Sequence, residues 1–255
     1  MTTPTYRHGQ FVWHELLTSD VESSLRFYGE VFGWKAETTP MPDGSTYSML
    51  KAGDRVVGGA MKLPMPGIPP NWGLYVSVAD VEAASKTAAA AGGQVIVPPM
   101  DAGGFGRFTT LADPTGAVVS AWRGANGDGE RAADYRPAIG EFCWDQLNTS
   151  SPTQARAFYA ELFGWSAKPF PGGGDMEVWS AGATEVASVM QAPPGAPSHW
   201  LAYVVVDGLA AARKRVEQNK GKILVPEIAV PTIGTIAVAA DNVGAVIGLF
   251  EPKAG

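Results

Sequence analysis

The chain has 255 residues, a formal net charge of −6 and one cysteine, Cys143; the length suits one or two domains with cores of their own, and a lone thiol excludes an intrachain disulfide framework. An acidic balance without a Lys/Arg cluster excludes a phosphate-backbone surface, so no nucleic acid is expected as a partner. No apolar run approaches the roughly 18 residues of a membrane span and Met1-Thr2-Thr3-Pro4 lacks the features of a leader, so no membrane partner and a cytoplasmic setting are expected.

The first expected element is an alternating strand from Phe11 to Leu17, followed by a helix-capping Thr18-Ser19-Asp20. A helix follows with the apolar stripe Val21, Leu25, Tyr28, Val31 and Phe32, and Gly33 stops it. Strand-like segments come next around Thr46 to Lys51 and Val56 to Met61. A proline-rich connector, Leu63 to Pro70, leads to a strand from Gly73 to Val78, then Asp80, an alanine-rich helix, a glycine stop and three short strands. Gly124-Ala125-Asn126-Gly127-Asp128-Gly129-Glu130 reads as a linker.

After it the whole pattern returns. Gly9-Gln10-Phe11-Val12-Trp13-His14-Glu15-Leu16 maps onto Gly140-Glu141-Phe142-Cys143-Trp144-Asp145-Gln146-Leu147 with an offset of 131. Phe27-Tyr28 maps onto Phe158-Tyr159, Phe32-Gly33-Trp34 onto Phe163-Gly164-Trp165, Trp72 onto Trp200 and Asp113 onto Asp241. A period this long means two homologous domains rather than a solenoid. The boundaries drawn from it are 1–124, a linker at 125–137, and 138–255. Within the second copy, Ser150-Ser151 precedes Pro152 as a helix start, and Asp207 stands where Asp80 stood. Each domain is expected to be βαβββ twice.

That double unit, with Phe-Tyr in its first helix and Asp113-Pro114-Thr115-Gly116 turning into its last strand, resembles the vicinal oxygen chelate superfamily of glyoxalases, extradiol dioxygenases and bleomycin-resistance proteins. The two-domain actinobacterial glyoxalase-like proteins are similar over nearly the whole chain. The resemblance implies an α+β fold of tandem domains, each a mixed sheet curled into a cup and flanked by helices. It also implies a divalent metal held by His, Gln or Glu from the first, fifth and last strands.

Mapped residue by residue, those positions fall on Trp13 and Trp144, on Gly73 and Leu201, and on Ser120 and Gly248; a further one falls near Gly59 and Ser188. These are poor ligands for a catalytic divalent ion, so neither metal nor other cofactor is expected. His14 is one residue out of register, and strand alternation turns it toward the helix side. Cys143 is read as a small strand residue of the core.

Glu15, expected to face the cup with Trp13 and Phe11, is a candidate catalytic acid/base, as is His199 near the start of its strand. The aromatics Trp13, Tyr75 and Trp122 and their counterparts Trp144, Tyr203 and Phe250 occupy inward positions of the family's geometry. With Ser120 and Gln146 they form the candidate ligand-binding set, a flat slot for a ring system. Met49, Met61 and Met190 would line its wall. Asp101 to Gly106, rich in glycine but without a strand-then-helix context, is no phosphate loop and reads as a lip over the cup.

Three functions fit these residues. The first is metal-independent binding of an aromatic or polycyclic small molecule, with secondary metabolism or resistance as the setting. The second is a metal-free lyase, isomerase or hydrolase using Glu15 or His199. The third is a scaffold whose cups are filled by side chains. A monomer with a pseudo-twofold domain pair, or a homodimer, is the expected assembly.

Overall fold

The computed structural model describes residues 4–41, 44–129, 131–132 and 134–253; Glu130 and residue 133 of the expected linker, and positions 1–3 of the opening segment, lie outside them. Among the described residues there are sixteen strands and four helices, and no helix is long and apolar enough to cross a membrane. In chain order the first repeat gives β1 (Phe11–Thr18), α1 (Val21–Phe32), β2 (Lys35–Pro40), β3 (Thr46–Ala52), β4 (Arg55–Lys62), β5 (Asn71–Ser77), α2 (Val81–Ala90), β6 (Gln94–Asp101), β7 (Gly106–Ala112) and β8 (Val118–Gly124). The second gives β9 (Phe142–Thr149), α3 (Pro152–Phe163), β10 (Ser166–Pro169), β11 (Glu177–Ala181), β12 (Thr184–Gln191), β13 (His199–Val205), α4 (Leu209–Gln218), β14 (Lys222–Val230), β15 (Gly234–Ala240) and β16 (Val246–Pro252).

The strands form two mixed sheets of eight, in the orders β2-β3-β4-β1-β5-β8-β7-β6 and β10-β11-β12-β9-β13-β16-β15-β14. In each, the first strand runs parallel to the fourth and the fifth parallel to the eighth, while neighbouring hairpin strands are antiparallel. This is the α+β architecture expected of the doubled βαβββ unit.

Local chemistry explains the elements. Asp20 caps α1 by accepting from Ser23 N at 3.0 Å, and Gly33 closes it in the left-handed region at φ 73°, which favours glycine. Ser151 and Pro152 start α3 in the same way, and Asp80 caps α2. Asp207 departs from its counterpart: α4 starts on Gly208 without a side-chain cap, and Asp207 pairs instead with Arg215 at 2.7 Å. β2 and β10 are additional to the segments named from sequence; both are exposed along their length, so neither carries an apolar alternation.

The chain groups into two compact units that draw on both repeats. One comprises Met1–Val12, Leu74–Tyr135 and Asp145–Trp200; the other comprises Trp13–Gly73, Arg136–Trp144 and Leu201–Gly255. In the first unit α2 packs on α3, and Tyr159, Trp165, Trp179 and Trp200 make an aromatic core that Phe11 joins. In the second, α1 packs on α4, and Tyr28, Trp34 and Trp72 receive Phe142. Phe11 packs against Trp165 and Trp200 in the first unit, while Trp13 and Glu15 of the same strand belong to the second, the division falling between Val12 and Trp13.

Candidate functional site

In the second unit, β1 and β3 bring Trp13, Glu15 and Tyr47 into one hydrogen-bonded cluster. Trp13 and Glu15 are two residues apart on one strand and so point the same way. Between them stands Tyr47 of β3, whose hydroxyl accepts from Trp13 Nε1 at 3.1 Å and donates to Glu15 Oε1 at 2.9 Å. Glu15 is only 8% exposed, whereas Trp13 and Tyr47 are half-buried, so the cluster has a buried carboxylate and reaches the surface through its rings.

Gly59 makes the arrangement possible. It lies opposite both Glu15 and Met49, and a Cβ there would overlap the Tyr47 hydroxyl. The phenol thus lies over this glycine. Burial holds the Tyr47 proton on well above the ordinary tyrosine range; the charge of Glu15 and its hydrogen bond add to this, and the Trp13 hydrogen bond opposes it. Tyr47 is a neutral donor throughout the physiological range.

In the first unit, β5, β7 and β8 present a second set. Tyr75 lies opposite Ser120, and the Ser120 hydroxyl shares a hydrogen bond of 2.9 Å with Thr110. The Tyr75 ring meets Trp122 edge-on at 6.1 Å and Phe108 at the same spacing, with Phe108 opposite Trp122 in the ladder. The second repeat contributes a neutral polar chain to this unit. Gln146 Nε2 donates to Asn148 Oδ1 at 2.9 Å and contacts Met190 Sδ at 3.1 Å; Asn148 Nδ2 lies 3.4 Å from His199 Nε2; and His199 Nδ1 lies 2.9 Å from the Pro197 carbonyl. A carbonyl only accepts, so we assign the His199 proton to Nδ1, which leaves Nε2 to accept from Asn148.

The remaining candidates are in the second unit. Tyr203 lies over Gly248, where a Cβ would overlap its ring, and Cys143 Sγ donates to the Tyr203 carbonyl at 3.3 Å. Phe250 and Trp144 are half-buried, Phe250 opposite Ile236. His14 stacks on Phe142 with ring centroids 3.9 Å apart, part of the aromatic core.

The structure thus joins Trp13 to Glu15 through Tyr47, Gln146 to His199 through Asn148, and Tyr75 to Trp122 directly. Tyr47, Asn148 and Phe108 did not emerge from the sequence. Tyr47 has the same strand parity as Met49, and Asn148 the same as Gln146, which was the available signal.

The model of the Glyoxalase/Bleomycin resistance protein/Dioxygenase superfamily matches residues 10–120. CFP32 of Mycobacterium tuberculosis (strain CDC 1551 / Oshkosh), a provisionally named glyoxylase, is 34% identical over 97% of this chain and 96% of its own. The anthracycline biosynthesis protein DnrV of Streptomyces peucetius is 30% identical over 82% of each chain. Among solved structures, the Mn(II)-bound glyoxalase of Novosphingobium aromaticivorans aligns with a TM-score of 0.65 at 16% identity, over 96% of this chain and 82% of that one. The 2,3-dioxygenase LapB of Pseudomonas sp. KL28 aligns with a TM-score of 0.64 at 13% identity, over 98% and 94%. At these identities the structural likeness concerns the fold.

Such a fold raises the question of a metal, and the residues present do not fit one. Among the described residues no group of three or more His, Cys, Asp and Glu could hold an ion. The mapped positions carry indole, glycine, leucine and serine, the Tyr47 phenol covers Gly59, and the Tyr203 ring covers Gly248.

Proposed function

The chain belongs to the glyoxalase/bleomycin resistance protein/dioxygenase superfamily, and from that membership we propose that it binds a planar aromatic small molecule without a metal ion. One observation supports the reading: the Trp13–Tyr47–Glu15 cluster joins an indole, a phenol and a buried carboxylate on β1 and β3, and Trp13 is the first-strand residue on which the resemblance maps a metal ligand. Indole and phenol offer ring faces, and the carboxylate with the hydroxyl fixes orientation through hydrogen bonds. The half-buried state of Trp13, Tyr47, Tyr75 and Trp122 favours a ligand surface over a core filled by side chains. A relative named for anthracycline biosynthesis supports a polycyclic aromatic and a setting in secondary metabolism.

The test is titration of chelator-treated protein with an anthracycline, read by tryptophan fluorescence and melting temperature. Saturable quenching and a raised melting temperature are expected, because a ligand bound only to the native state stabilises it. Binding that appears only after a divalent metal is restored, or none at all, overturns the reading.

A further inference from the structure

We propose that Glu15 and Tyr47 form a metal-free proton-transfer pair acting on a ligand that carries an acidic C–H beside a carbonyl and next to an aromatic ring. The proposal rests on the first-repeat cluster being the ligand site, and adds chemistry to it. Glu15 is the catalytic base and Tyr47 the donor to the developing oxyanion.

The argument starts from the single proton of the Tyr47 hydroxyl. Trp13 Nε1 donates to its oxygen, and the hydroxyl gives its proton to Glu15 Oε1. A carboxylate accepts only, so while Glu15 is ionised the phenol proton is engaged. When Glu15 takes a proton from the ligand, the C–H bond breaks, its electron pair delocalises onto the carbonyl as an enolate, and an O–H bond forms on Glu15. Glu15 is then itself a donor. Its proton turns to the Tyr47 oxygen, and the Tyr47 proton turns to the enolate oxygen. Once the Glu15 proton has swapped with a solvent deuteron, return to the same carbon gives exchange, and return to a conjugated carbon gives an isomer. Charge and atoms balance without a metal, oxidant or reductant.

The electrostatics run in the same direction. Apart from burial, the charge of Glu15 and its hydrogen bond hold the proton on Tyr47, while the Trp13 hydrogen bond loosens it. Neutralising Glu15 removes the first two and leaves the third, so Tyr47 becomes a stronger donor as the oxyanion forms. The chemistry belongs to the first repeat alone. Gln146 holds the place of Glu15 in the second, opposite Ser188, and an amide takes no proton at neutral pH.

The experiment follows deuterium incorporation at C1 of 2-tetralone in D2O by NMR, with its binding read separately by tryptophan quenching. Wild-type protein should accelerate exchange well beyond buffer. Glu15→Gln should lose exchange by about 100-fold or more, as for a removed general base. Tyr47→Phe should lose about 100-fold, as for a removed oxyanion donor. Melting curves establish that each variant is folded, and either variant alone suffices if the other is not. Binding without exchange in wild type, or exchange unaltered in both variants, overturns the proton-transfer pair and leaves the binding function standing. Absence of 2-tetralone binding overturns the proton-transfer pair for this ligand class, while the anthracycline titration decides the binding function separately.

Discussion

The indole N–H of Trp34, just past the end of α1, donates to the main-chain carbonyl of Gly140 at 2.7 Å, joining the first repeat to the turn that leads into the opening strand of the second. Trp165 makes the same bond to the Gly9 carbonyl at 2.7 Å in the other unit. Each bond ties a helix end to a segment from the other repeat, which is how the compact units come to draw on both. Both indoles are buried, so removing the donor strands a carbonyl away from water. Trp34→Phe is therefore expected to lower the unfolding free energy by about 1–3 kcal/mol, read as a shifted urea midpoint at unchanged slope.

Four of the seven tyrosines, Tyr28, Tyr47, Tyr159 and Tyr203, have proton affinities raised above the ordinary value, burial being the largest cause in each. For Tyr28 and Tyr159 the charges of Asp241 and Asp113 add to it. A raised phenol stays neutral in the folded state while the unfolded chain ionises near pH 10, so above that pH the native state binds more protons and stability falls as pH rises. Each fully buried tyrosine contributes about 1.4 kcal/mol per pH unit to that loss. Absorbance of the phenolate should show these four ionising only as the protein unfolds, and Tyr47→Phe should reduce the delayed group to three.

Much of the fold is local in origin and was legible for that reason. The capping residues Asp20 and Ser151, the stops Gly33 and Gly164 and the alternating β1 and β9 all act over a few residues, and the repeat doubled each signal. β2 and β10 were silent because their residues face solvent on both sides. The passage of β1 between units at Val12 and Trp13 was silent for another reason: Phe11 finds Trp165 and Trp200 more than 150 residues away, and no spacing rule reports such a partner. In the candidate site, Trp13 and Glu15 could be placed on one face by parity. Tyr47 could not be matched to them, since 32 residues separate it from Glu15 and only the ladder β3-β4-β1 brings them together.

Gly59→Ala tests the phenol's place. The new methyl would occupy the position of the Tyr47 hydroxyl, so the ring must move and its bonds to Trp13 and Glu15 break. A stability loss of about 1–3 kcal/mol is expected from overpacking and the stranded groups, together with weakened aromatic-ligand binding. Unchanged binding would mean that the Tyr47 bridge has no part in the site.

Chelation should leave the protein indifferent. With no fitting set of ligands among the described residues, treatment with EDTA followed by gel filtration is expected to change neither the melting temperature nor the anthracycline titration. A drop in either, restored by one equivalent of a divalent ion, contradicts metal-independent binding.

Trp13 and Trp179 give the sharpest contrast between a ligand-facing indole and a core one. Trp179 is 1% exposed and packs against Tyr159 and Trp165, so Trp179→Ala opens a cavity and should cost about 3–5 kcal/mol of stability. Trp13 is half-buried and its N–H reaches Tyr47, so part of its ring is already in water and less apolar surface is lost on truncation. Trp13→Ala should therefore cost clearly less stability than Trp179→Ala, and on the order of 1–2 kcal/mol of aromatic-ligand binding, a loss of about 5- to 30-fold in affinity. Trp13→Phe keeps a ring but removes the donor to Tyr47, and should recover part of that affinity while leaving the Tyr47 oxygen one hydrogen bond short. Denaturation midpoints and fluorescence titrations of the three variants, with tryptophan-independent calorimetry as a check on Trp13→Ala, decide between the roles. A Trp13→Ala protein that loses as much stability as Trp179→Ala and binds the anthracycline as tightly as wild type would make this indole core, and the ligand would have to lie elsewhere.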